Sequence, residues 1–207
     1  MVQSSDILQI IPPAGVEGVF RGRARNLWGY GNLSIINRPL LGILSARQCD
    51  SDLALKSLRL VTQLASLDDL CFIGGWHSPL EQQALHTVLH REASLVICIA
   101  KALDRFTPSV EIARRVNQGK ALLLTHCTSK AKRISREASL RRNELILGLA
   151  KALLVLSAPE GSASFKLANS ALEMNKQVLT LEHPLNHRLV SSGALPATVA
   201  NIQPLLR

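Results

Sequence analysis

Several groups of residues in this chain have types and spacings suited to holding an anion. The first is Gly74-Gly75-Trp76-His77-Ser78-Pro79-Leu80-Glu81. Paired glycines let the backbone turn tightly and let another group come close. Ser78 and Glu81 have the spacing of a capping box, and Pro79 falls at the first helical position. A glycine turn feeding a helix N-terminus offers backbone N–H groups to a phosphate. An ordinary strand-to-helix connection reads the same way, and the Glu81 carboxylate could itself occupy the positive helix end. Arg47 and Lys101 each stand just past an apolar run. Gly161-Ser162, in Pro159-Glu160-Gly161-Ser162, is a second glycine turn.

The strongest charge feature is residues 130–142, where Lys130, Lys132, Arg133, Arg136, Arg141 and Arg142 face one acid, Glu137. A solvated helix face carries charge of this kind; so does a surface that grips phosphates. Arg21, Arg23 and Arg25 alternate, which puts them on one face of an extended segment. They suit either a guarded sheet edge or a polyanion contact. His86 and His90 are four apart, as metal ligands on a helix would be, but Thr87 stands where a zinc protease needs glutamate. No two of Cys49, Cys71, Cys98 and Cys127 are spaced as a metal clip or redox pair. There is no serine–histidine–acid order, no nucleotide-binding lysine loop and no GxGxxG. The residues therefore suggest binding rather than catalysis, with no metal and no cofactor.

These groups must be positioned by the elements between them. Leu40–Leu44, Leu70–Ile73, Ser94–Ala100, Ala121–Thr125, Ala152–Ala158 and Gln177–Leu181 are short apolar runs of buried-strand type. Helical patterns lie between them: Asp52–Ala65, Leu80–His90, Pro108–Asn117, the basic run continued to Leu149, and Ser164–Met174. Such alternation predicts an α/β fold, a Rossmann-like doubly wound, mainly parallel sheet with helices on both faces. Arg47, Gly74-Gly75, His77, Ser78, Lys101, His126 and Gly161-Ser162 then fall at the carboxyl ends of strands, where such sheets bind ligands. Residues 1–30 read as an N-terminal extension, and residues 31–207 as one domain with a C-terminal tail covering a sheet edge.

The net charge of +9 fits a polyanionic partner. Hydrophobic residues make up 47% of the chain but aromatics only 3%, so base-stacking candidates reduce to Trp28, Tyr30, Trp76 and Phe106. The longest apolar stretch, Leu145–Ala158, contains Lys151 and is too short to cross a bilayer. Free thiols beside apolar runs and the lack of a secretory pattern suggest the cytoplasm.

Taken in order, several segments resemble the Rossmann-like core of the bacterial DNA-processing protein A (DprA/Smf) family. Gly31-Asn32-Leu33 resembles its G-N-L. Ile43-Leu44-Ser45-Ala46-Arg47 stands in place of I-V-G-S-R, and the Gly74–Glu81 turn in place of S-G-L-A-R-G-I-D. Arg142-Asn143, then Ile146 and Gly148-Leu149, resembles R-N-R-x-I-x-G-L. Gly161-Ser162 resembles the S-G-S turn, and Ser192-Gly193-Ala194 the closing G-A. Ser45 replaces a glycine, Ser78 an arginine, and Glu144 the second arginine of R-N-R.

The resemblance implies a cytoplasmic homodimer that binds single-stranded DNA and assists a RecA-type recombinase, including in natural transformation. It implies that Arg47 holds a backbone phosphate, that Gly74, Gly75 and Ser78 offer donors, and that Arg142 and Asn143 contact phosphate or order the rim. The same superfamily holds the lysine-decarboxylase-like phosphoribohydrolases, and Pro159-Glu160-Gly161-Ser162 is similar to their P-G-G-x-G-T turn. The acid expected on the following helix is replaced by Phe165-Lys166-Leu167. A nucleotide-binding sensor, with Glu81 accepting a ribose hydroxyl, is the other alternative.

Overall fold

The structure, a computed structural model, describes residues 2–13, 16, 26–128 and 134–206. Arg21, Arg23, Arg25, Lys130, Lys132 and Arg133 lie outside the described residues. The strands are β1 (Leu8–Ile10), β2 (Leu27–Gly31), β3 (Leu40–Ser45), β4 (Cys71–Gly74), β5 (Ser94–Ile99), β6 (Ala121–Thr125), β7 (Ala152–Ser157), β8 (Gln177–Thr180) and β9 (Leu195–Pro196). They form one sheet in the order β1-β2-β6-β5-β4-β3-β7-β8-β9. From β6 to β9 every pairing is parallel. At the other edge, β1 pairs with β2 and β2 with β6, both antiparallel.

The expected doubly wound α/β fold is what forms. Apolar side chains alternate between the two faces along each central strand, as a sheet covered on both sides requires. Leu41 and Ile43 of β3 point to one face with Phe72, Leu95 and Leu154; Leu40 and Leu44 point to the other with Ile73, Val96 and Leu153. Helices α1 (Ser51–Leu64), α2 (Pro79–His90), α3 (Val110–Asn117) and α7 (Val199–Ile202) cover the first face. Helices α4 (Arg136–Leu149), α5 (Ala163–Glu173) and α6 (His187–Ser191) cover the second.

Helix starts follow their caps. Asp50, Ser78, Ser109, Ser135 and Ser162 each accept from the backbone N–H three residues on. Ser109 therefore starts α3 at Val110, two residues later than the pattern suggested. Asn175, with φ 56°, takes the left-handed conformation that ends α5.

β1 and β2 have no counterpart in the expected strand set. β2 crosses the boundary drawn at residue 31 and pairs directly with β6. After β8 the tail adds β9 to the far edge. Asn186 fastens the segment before β9: fully buried, its Oδ1 accepts from the Ala158 N–H, and its Nδ2 donates to the carbonyls of Leu156 and Leu181.

Candidate functional site

Chain direction reverses across the sheet between β3 and β7. From β3 the chain steps to β4, β5 and β6, then returns to lay β7 on the other side of β3. The crevice at the carboxyl ends of the strands beside such a switch is where open α/β sheets take ligands. Ser45 sits at the end of β3 beside a register shift against β7, and the Ala46 N–H donates to the Ser157 carbonyl at 2.8 Å. Arg47 follows and is exposed.

The glycine turn is built as its sequence indicates. Ser78 Oγ accepts from the Glu81 N–H at 3.1 Å, and Glu81 reaches back to complete the capping box. The carboxylate does more than cap. Oε1 accepts from the Ser45 N–H at 2.8 Å, and Oε2 accepts from the N–H groups of His77 at 2.6 Å and Ser78 at 3.3 Å. Glu81 is 8% exposed. It therefore occupies the N-terminus of α2 and ties it to β3, so donors expected to meet an anion there already hold one. Burial pushes its carboxyl up, against the pull of those N–H groups and of Arg142.

The glycines serve close approach rather than an unusual φ. In this turn it is Trp76 that has the left-handed backbone, with φ 54°. Its indole folds back over Gly74, where an added Cβ would lie 2.9 Å from Cε2. Trp76 is 5% exposed, which corrects its reading as a stacking platform. Gly75 is approached by Arg142: a Cβ there would stand 2.8 Å from Nε and 3.0 Å from Cζ.

Arg142 is the centre of the site. It lies on α4, whose first turns run past the carboxyl edge of the sheet, and is 9% exposed. Nε and Nη2 both donate to Asn143 Oδ1, at 3.1 and 2.7 Å. Among the described residues no carboxylate lies within ion-pair distance of it; burial lowers its pKa, while Glu81 nearby acts to raise it. Arg141, by contrast, is paired with Glu137. Desolvation and then the charges of Arg142 and Arg47 lower His77 to about 4; desolvation, Arg141 and Arg142 lower His126 to about 4.

The remaining expected positions lie further along the edge. Lys101 follows β5 with its ammonium over the Phe106 ring, 5.3 Å from the centroid. Gly161, at φ 80°, has open space where a Cβ would stand, and Ser162 Oγ caps α5. Arg47, Gly75, His77, Glu81 and Arg142 thus converge, whereas Lys101, Gly161 and Ser162 flank them. His126, noted in the sequence only as part of a polar rim, joins the centre. The signal for it was its place directly after the apolar run of β6.

A switched parallel sheet with a cationic carboxyl edge places the chain in the Rossmann-like α/β class. The chain belongs to the DNA recombination-mediator protein A family, whose family model matches residues 18–202. No curated protein sequence matches it significantly. Among solved structures it is similar to DNA processing protein A from Streptococcus pneumoniae, with TM-score 0.80 and 20% identity over 97% of this chain and 75% of that one. DNA processing protein A from Helicobacter pylori, known for its single-stranded DNA binding mode, follows with TM-score 0.75 and 18% identity over 97% and 94%. The molybdenum cofactor carrier protein of Chlamydomonas reinhardtii shares the fold more loosely, with TM-score 0.53 and 13% identity over 82% of this chain and 99% of that one.

Proposed function

We propose that the chain binds single-stranded DNA through backbone phosphates along the carboxyl edge of the sheet, and that it presents the strand to a RecA-type recombinase. Family membership and the DNA binding of the Helicobacter pylori relative support this reading. The observation that carries it is Arg142. A guanidinium this deeply buried loses several kcal/mol of hydration, and here a neutral carboxamide oxygen is its hydrogen-bond partner. A phosphate would supply the missing negative charge to a fork of N–H donors shaped for it. Arg136 also stands in the first turn of α4, where the helix dipole disfavours a cation, so its placement serves something outside the helix.

In this reading Arg142 takes one phosphate and exposed Arg47 its neighbour. Asn143 holds the guanidinium plane until the ligand arrives. Gly75 leaves room for Arg142, and Ser78 and Glu81 fix the turn. Lys101 and Gly161-Ser162 extend the track. Phosphate contacts of this kind give affinity without sequence choice. The chain acts as a homodimer in the cytoplasm.

Fluorescence anisotropy of a labelled thymidine oligonucleotide, titrated at two salt concentrations, tests the reading. Affinity is expected to fall with salt, with a log–log slope of about −0.7 per phosphate contacted. Arg47→Ala is expected to weaken binding of every sequence alike. Efficient displacement by one mononucleotide would favour the sensor, and release of free base from a nucleoside monophosphate would favour the hydrolase. Light scattering across concentrations reads the dimer.

A further inference from the structure

We propose that His126 is a further phosphate-binding residue of this site, which takes up a proton from solvent as the strand binds, with His77 assisting at the rim. The proposal rests on reading the carboxyl edge as a phosphate site.

The geometry singles out His126. It stands directly beyond β6, and its Nε2 lies 3.5 Å from Cys127 Sγ. Its Nδ1 is buried and has no hydrogen-bond partner. A buried ring nitrogen left unpaired costs free energy, and in a native structure it needs an explanation. The groups facing it are Arg141, Arg142 and Glu137, all from α4. Two are cations and the acid is already paired with Arg141. His77 reaches the same cluster from the turn after β4. It faces Arg142 from α4 and Arg47 from the segment after β3, and its backbone N–H donates to Glu81 of α2. The cluster thus holds two imidazoles kept neutral beside cations, with no unengaged carboxylate among the described residues.

A phosphodiester changes this balance. Its negative charge offsets the arginines that repel a proton from the rings, and an imidazolium can donate from both nitrogens. Each imidazole gains at most one proton from buffer, and no covalent bond forms or breaks. The complex then holds more protons than the free protein between the two pKa values, so affinity rises as pH falls. The backbone diester and thymine do not titrate over this range, so the dependence belongs to the protein. Should His126 return in the complex from about 4 to its ordinary value, affinity would rise about tenfold between pH ~8.5 and ~5.5. His77 is exposed, so solvent screens its neighbours and its share is smaller.

The test is a pH series of binding to a thymidine oligonucleotide lacking terminal phosphates, at fixed salt. It is paired with calorimetry at neutral pH in two buffers of different ionisation enthalpy. Net proton uptake and a severalfold or greater rise in affinity toward acid are expected. His126→Gln should remove most of the slope, and His77→Gln a smaller part. Binding that is flat with pH and releases no buffer heat overturns the inference while leaving the phosphate reading intact. An unchanged slope in the doubly substituted protein does the same. Absence of oligonucleotide binding at every pH overturns both. The buffer comparison uses the unaltered protein, so a variant that fails to fold does not remove the test.

Discussion

Replacing Arg142 by methionine separates stability from function. The guanidinium is 9% exposed, has no carboxylate within ion-pair distance among the described residues, and donates to one neutral oxygen. Exchanging buried charge for an apolar side chain of similar length is neutral to stabilising, by about 1–4 kcal/mol. Two hydrogen bonds to Asn143 are lost, each worth about 1 kcal/mol net, which moves the expectation toward the lower end. Asn143 is half-buried, so water can replace its partner. A gain of about 1 kcal/mol raises Tm by about 2–4 °C in a chain of this size. Binding should move the other way. Losing a charge-assisted phosphate contact costs about 1.5–3 kcal/mol, about 10- to 150-fold in affinity. The salt slope should also become shallower by about 0.7. Thermal unfolding followed by circular dichroism and anisotropy titration at two salts read both effects. An Arg142→Met protein that melts earlier and binds as before would refute the reasoning.

Three smaller perturbations follow from the same geometry. Gly75→Ala places a Cβ 2.8 Å from Arg142 Nε, so the flexible guanidinium must move; DNA affinity should fall about 3- to 10-fold with little change in melting. Ser78→Ala removes the cap of α2 and should cost about 1 kcal/mol, a Tm loss of about 2–4 °C in thermal unfolding. Asn186→Ala leaves the Ala158 N–H and two carbonyls without their partner and should cost about 3–5 kcal/mol in denaturant unfolding, with DNA binding intact wherever the protein remains folded.

The central sheet was legible because its strands are short, mainly apolar runs and its five longest helices open on serine or aspartate caps. Ser78-Pro79-Leu80-Glu81 names its own capping box, and the structure builds it. The antiparallel edge was not legible. β2 reads Leu-Trp-Gly-Tyr-Gly and β1 spans only three residues, so neither shows the apolar run that marked the central strands. Their identity as strands comes from pairing with β6, which is information distant in sequence. The site was legible in its residue types but not in its charge balance. Arg47, Gly75 and Arg142 were recognisable from motif order, and their convergence follows from the sheet order. That Glu81 satisfies three backbone N–H groups, and that Trp76 is spent on covering Gly74, depends on side-chain directions that no spacing rule encodes.

A crystal structure of the protein with a short thymidine oligonucleotide tests the central claim most directly. The account predicts a backbone phosphate within hydrogen-bond distance of Arg142, a neighbouring phosphate at Arg47, and the strand running along the carboxyl ends of β3 to β6. A strand lying on another surface, with Arg142 still donating to Asn143 and no phosphate beside it, would contradict the account.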